Sequence, residues 1–359
     1  MSEPVLRMLA DDLTGALDSA AAFASPAAPV AVRWSGPAVQ GRGAVALDSG
    51  TREVGAAAAG AAVAALAPGL WAETSGTVAF KKLDSLLRGN EVAELCACLD
   101  ILLPTTCIIA PAFPAQRRIT RGGRQMQWVD GLWCTVATDL VSSLRRAGFA
   151  LAELRPGARL PAGIAVFDAE SDADLDAIVA AAAGQEDVLW VGSGGLAAAL
   201  ARAHGVHGSR APAPAFPLLG LVGSEHPAAF AQLARLGQRH VALSGQRGED
   251  RNIAARLAGE GCVFATVSLP AGTKRTNAAR LIAARFAALV SALEPPKTLF
   301  VAGGETLRSL CAALGADHLD VTGEIMPGVP CSILRGGRWD GARSSPSPAP
   351  SVSRSFFSN

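Results

Sequence analysis

The chain has 359 residues and a formal net charge of +1; half of its residues are hydrophobic and 18% are charged. This length predicts two domains or one large one, and the composition supports a sizeable core rather than wholesale disorder. The balanced charge, the low aromatic content and the absence of tyrosine disfavour nucleic-acid binding. No apolar run is long enough to span a membrane, and the first residues do not read as a secretion signal, so we expect a cytoplasmic protein.

Seven cysteines are scattered along the chain, and none forms a C-x-x-C pair. This pattern is typical of reduced, buried thiols, and it predicts no zinc site and no other metal site held by the protein.

One pattern recurs along the chain: a short apolar run, then Gly, Asp or Ser, then an Ala- and Leu-rich helical stretch. The first case reads VLRMLADDLTGALDSAAAF, and VLWVGSGGLAAALARAHG, LLGLVGSEHPAAFAQLARLG and TLFVAGGETLRSLCAALG follow. Strand, tight turn and helix in repetition predict an α/β fold with mainly parallel sheets.

A Pro-, Ala- and Gly-rich segment at residues 208–217 interrupts this pattern and predicts a linker. It divides the chain into an N-terminal domain, residues 1–207, and a C-terminal domain, residues 218–341. We expect the active site in a cleft between the two domains. Residues 342–359 are dominated by Ser, Pro and Arg, which predicts a disordered tail.

Two adjacent aspartates, Asp11 and Asp12, follow the first apolar run. Ligands of an open α/β sheet meet the carboxyl ends of its strands, so the pair is a candidate site. Helix capping explains the pair equally well, with Thr14 as a further capping residue. Asp18 lies further into the helix, where it could equally be solvated. Aspartyl phosphatases separate their two aspartates by one residue, so the spacing excludes that mechanism.

A second candidate is VAFKKLDSLLRGN, in which an apolar run leads into cations, a carboxylate and a hydroxyl. The segment fits a solvated helix start with an Asp84–Arg88 pair one turn apart. It also fits a site for a small anionic, hydroxylated molecule. Arginine and lysine would then bind a carboxylate or a phosphoryl group, and Asp84 would take a proton from a hydroxyl.

Two further polar segments carry arginines. ALDSGTREV contains Arg52 and by itself fits a polar loop. APAFPAQRRITRGGRQ fits either a basic loop beside an anion site or a solvated run of charge; its arginines are Arg117, Arg118, Arg121 and Arg124.

In the C-terminal half, the segment VAGGETL places Gly303 and Gly304 at a predicted strand-to-helix turn. Backbone N–H groups at such a turn can cradle phosphate, and Glu305 or Thr306 could reach a hydroxyl or a hydrated Mg²⁺. A turn without a ligand fits this segment as well. Neither a Walker A motif nor a complete dinucleotide fingerprint is present, which disfavours a dehydrogenase.

Taken in order, ADDLTGALD, DSGTR, KKLDSLLRGN, APAFPAQRR, VGSGG, VGSEHPA, VAGGETL and GEIMPGVP resemble the four-carbon acid sugar kinases. The resemblance runs from about Val5 to about Gly341. It implies an N-terminal substrate domain, a C-terminal nucleotide-binding domain and ATP-dependent phosphorylation of threonate, erythronate or an oxo-tetronate. ATP would bring Mg²⁺ with it. The resemblance implies neither a nucleic-acid nor a membrane partner, and it leaves a homodimer open.

The resemblance also implies roles for individual residues. We expect Asp84 first, and Asp12 second, to orient or deprotonate the attacking hydroxyl. The residues implied to face the sugar acid are Asp11, Asp12, Arg52, Lys82, Asp84, Ser85 and Arg88. Those implied to contact ATP are Ser224, Gly303, Gly304, Glu305, Thr306 and Gly328.

The chain departs from the family pattern near its C-terminus. Family members usually continue into a Lys-Ser-Gly-x-Phe-Gly motif that completes the ATP site, whereas here GGRWDG leads into the Ser/Pro/Arg tail. We therefore expect an incomplete nucleotide-binding domain, with either a change of reading frame after about Gly341 or a damaged gene. The alternative function is therefore a degenerate member that binds sugar acid or nucleotide without efficient turnover. The family also more often has Gly where Arg117 stands.

Overall fold

The structure is a computed structural model that separates into two compact units. The N-terminal unit comprises residues 1–24 and 29–208, and the C-terminal unit comprises residues 25–28 and 209–359. The residues that the structure describes are 5–34, 43–71, 76–206, 208–223, 233–270, 272–326 and 328–347.

The N-terminal unit alternates strands and helices along most of its length. Its strands are β1 (Val5–Ala10), β2 (Val30–Arg33), β3 (Val45–Asp48), β4 (Thr77–Lys82), β5 (Thr106–Ala110), β6 (Arg118–Arg121), β7 (Arg124–Val129), β8 (Leu132–Thr135), β9 (Leu151–Leu154), β10 (Gly163–Phe167) and β11 (Val188–Gly192). Its helices are α1 (Leu13–Ala21), α2 (Ala56–Leu70), α3 (Glu91–Leu102), α4 (Leu140–Arg146), α5 (Asp172–Ala181) and α6 (Gly194–Ala203).

The main sheet of this unit has the strand order β2-β3-β1-β4-β11-β5-β10-β9, and every neighbouring pair is parallel. Its central strands are buried nearly throughout, as apolar runs covered on both faces should be. The predicted parallel α/β architecture is confirmed. Because β3, β1 and β4 are neighbours in the sheet, the loops that follow their carboxyl ends lie side by side.

The arginine-rich segment after β5 does not form a single loop. A 3₁₀ turn at Pro114–Gln116 leads into Arg117 in the left-handed region, with φ of 54°. The chain then forms an antiparallel sheet in the order β6-β7-β8, on which Trp128 and Trp133 pack edge to face with centroids 5.2 Å apart.

The strands of the C-terminal unit are ordered β13-β14-β12-β15-β18-β17-β16. Neighbours from β13 to β18 are parallel, whereas β17 runs antiparallel to both β18 and β16. The elements are β12 (Leu218–Val222), β13 (His240–Leu243), α7 (Glu249–Glu260), β14 (Cys262–Val267), α8 (Arg275–Ala292), β15 (Thr298–Ala302), α9 (Gly304–Leu314), β16 (His318–Met326), β17 (Val329–Arg335) and β18 (Arg343–Ser347).

Strand β18 corrects the expectation that disorder begins at Ala342. Residues 343–347 pair with β15 on one side and with β17 on the other, and Ser344 and Ser345 are fully buried. A Ser- and Pro-rich composition argues against a central strand, but the backbone groups of two flanking strands pair with this segment regardless of its side chains. Residues 348–359 lie outside the described residues.

The cysteines are free thiols, and most are buried. Burial raises the pKa of both Cys98 and Cys311 to about 12, which keeps these thiols protonated and unreactive. The expectation of buried thiols is wrong for Cys134, which is exposed on β8.

The turn at Arg117 yields a first prediction. A non-glycine residue in the left-handed region destabilises the folded state by roughly 1–2 kcal/mol. The Arg117 side chain is exposed, so its removal should cost little packing. We expect Arg117→Gly to raise the free energy of unfolding by about 1 kcal/mol, the gain being reduced by the entropy of glycine in the unfolded chain. Urea unfolding at pH 7 measures this.

Arg121→Gly is the matched control, because Arg121 is an exposed arginine in β6 with an ordinary strand backbone. It should lower the stability by roughly 0.5–1 kcal/mol. An Arg117→Gly protein that is less stable than the wild type would contradict the assignment of strain to this turn.

Candidate active site

Asp11 and Asp12 follow β1 directly, and each has a defined partner. Asp12 adopts an extended backbone as the N-cap of α1, and its Oδ1 accepts a 2.7 Å hydrogen bond from Gly15 N. Its Oδ2 pairs with Arg52. The capping prediction is confirmed for Asp12, and its second carboxylate oxygen is left for the pair with Arg52.

Arg52 joins the two aspartates. Its Nε and Nη2 donate to Asp11 at 2.7 and 3.0 Å, and its Nη1 donates to Asp12. The Arg52 backbone N–H also donates to Asp11 O at 3.2 Å. A bidentate arginine–carboxylate pair has a fixed geometry, so Arg52 ties the loop after β3 to the loop after β1.

The surroundings of Asp11 and Asp12 shift their pKa values in opposite directions. Burial favours a raised pKa for Asp11, but the charges of Arg52 and Lys82 outweigh it and lower the pKa. Burial raises the pKa of Asp12, because Arg52 offsets it only in part and the neighbouring Asp11 adds to it. Asp12 is therefore the better proton acceptor of the pair.

A buried ion pair between β4 and α3 anchors the loop that carries Arg52. Lys81 Nζ and Glu94 Oε2 are 2.6 Å apart, and their side chains are 0% and 1% exposed. Glu94 Oε1 accepts a 2.5 Å hydrogen bond from Thr51 Oγ1, and the Ser49 hydroxyl lies 2.7 Å from the same Oγ1. Glu94 lies in α3, outside the motifs of the sequence analysis. Only its position one turn into that helix could have suggested a role in the site.

The segment after β4 is a turn and not a helix start, since α3 begins only at Glu91. Arg88 Nε and Nη2 donate to the two oxygens of Asp84 at 2.6 and 3.0 Å. Burial opposes ionisation of Asp84, but the Arg88 hydrogen bonds and the charge of Arg52 hold its pKa well below the usual range. Asp84 is thus a firmly ionised carboxylate with both oxygens engaged.

The β6–β7 hairpin holds the neighbouring residue, Ser85, from two directions. Arg118 Nη1 donates to Ser85 Oγ, and the buried Gln125 donates from Nε2 to Ser85 O at 2.8 Å. Thr120 Oγ1 orients the Gln125 amide by donating to its Oε1 at 2.8 Å. The sequence reading did not assign a role to Gln125.

Lys82 and Asp18 complete the group. The Lys82 side chain is buried, and its Nζ donates to Leu83 O at 2.9 Å. A Cβ on Gly15 would lie 2.7 Å from Asp12 Oδ1 and 2.9 Å from Nζ, so a larger residue on the first turn of α1 would displace both side chains. Asp18 is only partly exposed; burial raises its pKa, while the charges of Lys82 and Arg118 oppose that rise.

The N-terminal unit thus brings together every residue that the resemblance assigned to the sugar acid. Carboxylates and cations alternate at the carboxyl ends of neighbouring parallel strands, which can bind a small polar anion and orient its hydroxyls. These residues are Asp11, Asp12, Arg52, Lys82, Asp84, Ser85 and Arg88.

In the C-terminal unit, Gly303 has a φ of 117° and precedes α9, which begins at Gly304. The first N–H groups of a helix have no acceptor within the helix, so this turn can bind phosphate. Gly223, at the end of β12, donates to Ala302 O at 3.0 Å, and a Cβ there would strike Thr306 Oγ1.

For the other residues implied to contact ATP, the structure gives only their place in the fold. Glu305 lies in the first turn of α9. Gly328 has a φ of 77° in the turn between β16 and β17. Ser224 lies outside the described residues.

Comparison with known proteins adds to this geometry. Residues 6–141 and 135–200 match the sugar-binding N-terminal domain, and residues 219–347 match the nucleotide-binding C-terminal domain. A D-threonate kinase of Cupriavidus necator is 33% identical over 380 residues, which cover 90% of this chain and 89% of that protein. A D-threonate kinase of Bordetella bronchiseptica is 32% identical, over 94% of this chain and 92% of the relative. A crystal structure of the Haemophilus influenzae protein HI1011 shares the fold, with a TM-score of 0.72 and 18% identity over 98% of each chain.

The two domain matches and the kinase relatives define a two-domain phosphotransferase with a sugar-binding and a nucleotide-binding domain. The chain belongs to the four-carbon acid sugar kinase family. It is an ATP-dependent kinase that phosphorylates an alcohol group of a four-carbon sugar acid, and the alternative of a degenerate binding protein is not favoured. Within the described ranges, no helix has the length and hydropathy of a membrane span.

Glu91, the first residue of α3, should make the stability of the protein depend on pH. Its side chain is buried, and its Oε1 accepts a 2.8 Å hydrogen bond from Gly89 N. Burial raises its pKa to about 7. The folded state therefore holds this proton more tightly than the unfolded chain, so the resulting stability is present below about pH 4.5 and is lost as the pH rises through about 7.

Glu91→Gln removes this titration and keeps an oxygen for Gly89 N. We expect the variant to exceed the wild type in unfolding free energy by up to about 3 kcal/mol at pH 8, with little difference at pH 4. Urea unfolding across this pH range measures the effect. The exposed Glu53→Gln should stay within about 0.5 kcal/mol of the wild type. A stability difference for Glu91→Gln that does not change with pH would refute the assignment.

Proposed function

We propose that the substrate is D-threonate, that the N-terminal unit binds it at the Asp11–Arg52–Asp84 cluster, and that the C-terminal unit binds ATP at the Gly303 turn. The observation that carries the proposal is the convergence of alternating carboxylates and cations on three adjacent strand ends. Two relatives that are 33% and 32% identical and named D-threonate kinase support the choice of acid.

Phosphoryl transfer needs an oriented hydroxyl, an acceptor for its proton and neutralised charge, with little covalent work by the protein. We propose Asp12 as the proton acceptor. The pKa of Asp12 is raised, whereas the two hydrogen bonds from Arg88 hold the pKa of Asp84 well below its usual range. This reverses the order expected from the sequence, and it makes Asp84 a positioning residue that fixes the turn after β4 through its pair with Arg88.

Mg²⁺ would reach the reaction bound to the phosphates of ATP. No group of three His, Cys, Asp or Glu side chains in the described ranges could hold a metal ion by itself. Magnesium bound to phosphate oxygens and water needs few protein ligands, and Glu305 or Thr306 would supply a contact to its water shell. The ion would neutralise charge on the transferring phosphoryl group.

The substrate assignment is tested by incubating the full chain with ATP, Mg²⁺ and a panel of D-threonate, L-threonate and D-erythronate. ADP release gives the rates, and ³¹P NMR identifies the phosphate monoester. D-threonate should have the highest kcat/KM of the panel. A higher kcat/KM for another acid would replace the proposed substrate, and nucleotide binding without turnover of any acid would favour the degenerate alternative.

Asp12→Asn tests the proton acceptor. We expect kcat for D-threonate to fall by about 10²–10⁴-fold with a much smaller change in KM, because a general base acts in the transition state. Asp84→Asn should instead raise KM, since it breaks the bidentate pair that fixes the turn carrying Ser85. Asp130→Asn is the control, because Asp130 is exposed and its left-handed backbone tolerates Asn. Equal loss of kcat in the Asp12 and Asp84 variants would contradict the assigned roles.

Gly223→Ala tests the nucleotide site. The added methyl group would collide with Thr306 on α9 and displace the Gly303 turn. We expect KM for ATP to rise about tenfold while the Kd for D-threonate stays unchanged. Gly259→Ala, in an exposed position of α7 with open space around it, should change neither value. An unaltered KM for ATP in Gly223→Ala would argue against this turn as the nucleotide site.

A further inference from the structure

Most charged groups of the Asp11–Arg52–Asp84 cluster already form ion pairs within the protein. Arg52 is shared by Asp11 and Asp12, and Arg88 holds Asp84 through two hydrogen bonds. A substrate carboxylate that bound at Arg52 or Arg88 would have to compete with a carboxylate of the protein for the same N–H groups. These two arginines are therefore poor anchors for the acid.

Three charged groups beside them have no ion-pair partner within the part of the chain that the structure describes: Asp18, Lys82 and Arg118. Lys82 Nζ donates to a single carbonyl, Leu83 O, at 2.9 Å. Arg118 donates one N–H to the hydroxyl of Ser85, which leaves most of its five N–H groups unused.

The charges of Asp18, Lys82 and Arg118 act on one another, but no direct ion pair offsets their desolvation within the described residues. Burial lowers the pKa of Arg118, and the charges of Asp84 and Asp18 offset this only in part. Burial raises the pKa of Asp18 in the same region. A buried cation of this kind gains more from a bound anion than an exposed one does, because water does not screen the pair.

The surroundings leave little freedom for these side chains. A Cβ on Gly194, the first residue of α6, would lie 3.1 Å from Asp18 Oδ2 and 2.8 Å from the Phe113 ring. Phe113 is itself paired through its backbone with Arg118. The start of α6, the aromatic ring and the hairpin thus hold Asp18 and Arg118 close to Lys82.

We propose that Arg118 and Lys82 bind the carboxylate of the four-carbon acid and that Asp18 accepts a hydrogen bond from a neighbouring hydroxyl of it. This subsite rests on the proposed function, and it assigns substrate contacts to two residues, Asp18 and Arg118, that the resemblance did not. Arg52 and Arg88 then position Asp11, Asp12 and Asp84 instead of binding the carboxylate themselves.

Arg118→Gln tests the subsite in the full chain, with isothermal titration calorimetry of D-threonate and with ADP-release kinetics. We expect the Kd and KM for D-threonate to rise at least tenfold, with kcat within threefold and KM for ATP unchanged. A substrate-binding contact made equally in the ground and transition states has this signature. Loss of a purely structural contact to Ser85 would lower kcat or the melting temperature and leave the Kd unchanged.

The control is Arg121→Gln, since Arg121 is an exposed arginine of the same strand that pairs with Glu170. Its Kd and KM should match those of the wild type. If Arg118→Gln does not fold, Arg118→Lys replaces it. This variant keeps the charge but loses the planar fork, and it should raise the Kd about threefold or more. Asp18→Ala should raise the Kd about tenfold.

Outcomes for this subsite and for the proposed function can be told apart. A wild-type chain that neither binds nor phosphorylates D-threonate overturns the proposed function and this subsite with it. An active wild type, together with a folded Arg118 variant whose Kd for D-threonate is unchanged, overturns the carboxylate site alone. An unchanged Kd in Asp18→Ala removes the hydroxyl contact.

Discussion

The Arg52 guanidinium is the group on which the rest of the proposed sugar-acid site depends. It binds both oxygens of Asp11 and one oxygen of Asp12, and so it fixes the loops after two adjacent strands against each other. The same contact sets the chemistry of the two aspartates apart: Asp11 is held ionised, whereas the pKa of Asp12 stays raised. One cation thus leaves two adjacent carboxylates with pKa values shifted in opposite directions.

Arg52 can bind both aspartates because buried side chains fix the loop that carries it. The Lys81–Glu94 pair is completely buried, and Glu94 reaches the loop through Thr51. Burying two charges is costly, and a buried pair is retained most readily where its geometry is needed. We infer that Lys81 and Glu94 contribute position more than stability: they link β4 and α3 to the loop that carries Arg52.

Much of this could be predicted from the sequence, and what could not has physical reasons. Apolar runs followed by turns indicated the parallel sheet, and the motif order indicated the residues at its edge. Strand β18 was missed because its Ser- and Pro-rich side chains carry no strand signal, while backbone pairing with β15 and β17 holds it. Glu94 and Gln125 were missed because each acts across the fold on a loop distant in sequence. The raised pKa of Asp12 depends on burial, which the neighbouring residues in the sequence do not reveal.

Hydrogen exchange measured by mass spectrometry tests the central claim most directly, since it locates the acid on the intact chain without any substitution. With saturating D-threonate and no nucleotide, exchange should slow in peptides covering residues 11–16, 49–54 and 82–90. A chain that phosphorylates D-threonate but shows no slowing in these three segments, or slowing only elsewhere, would contradict the claim that the strand ends joined by Arg52 hold the acid.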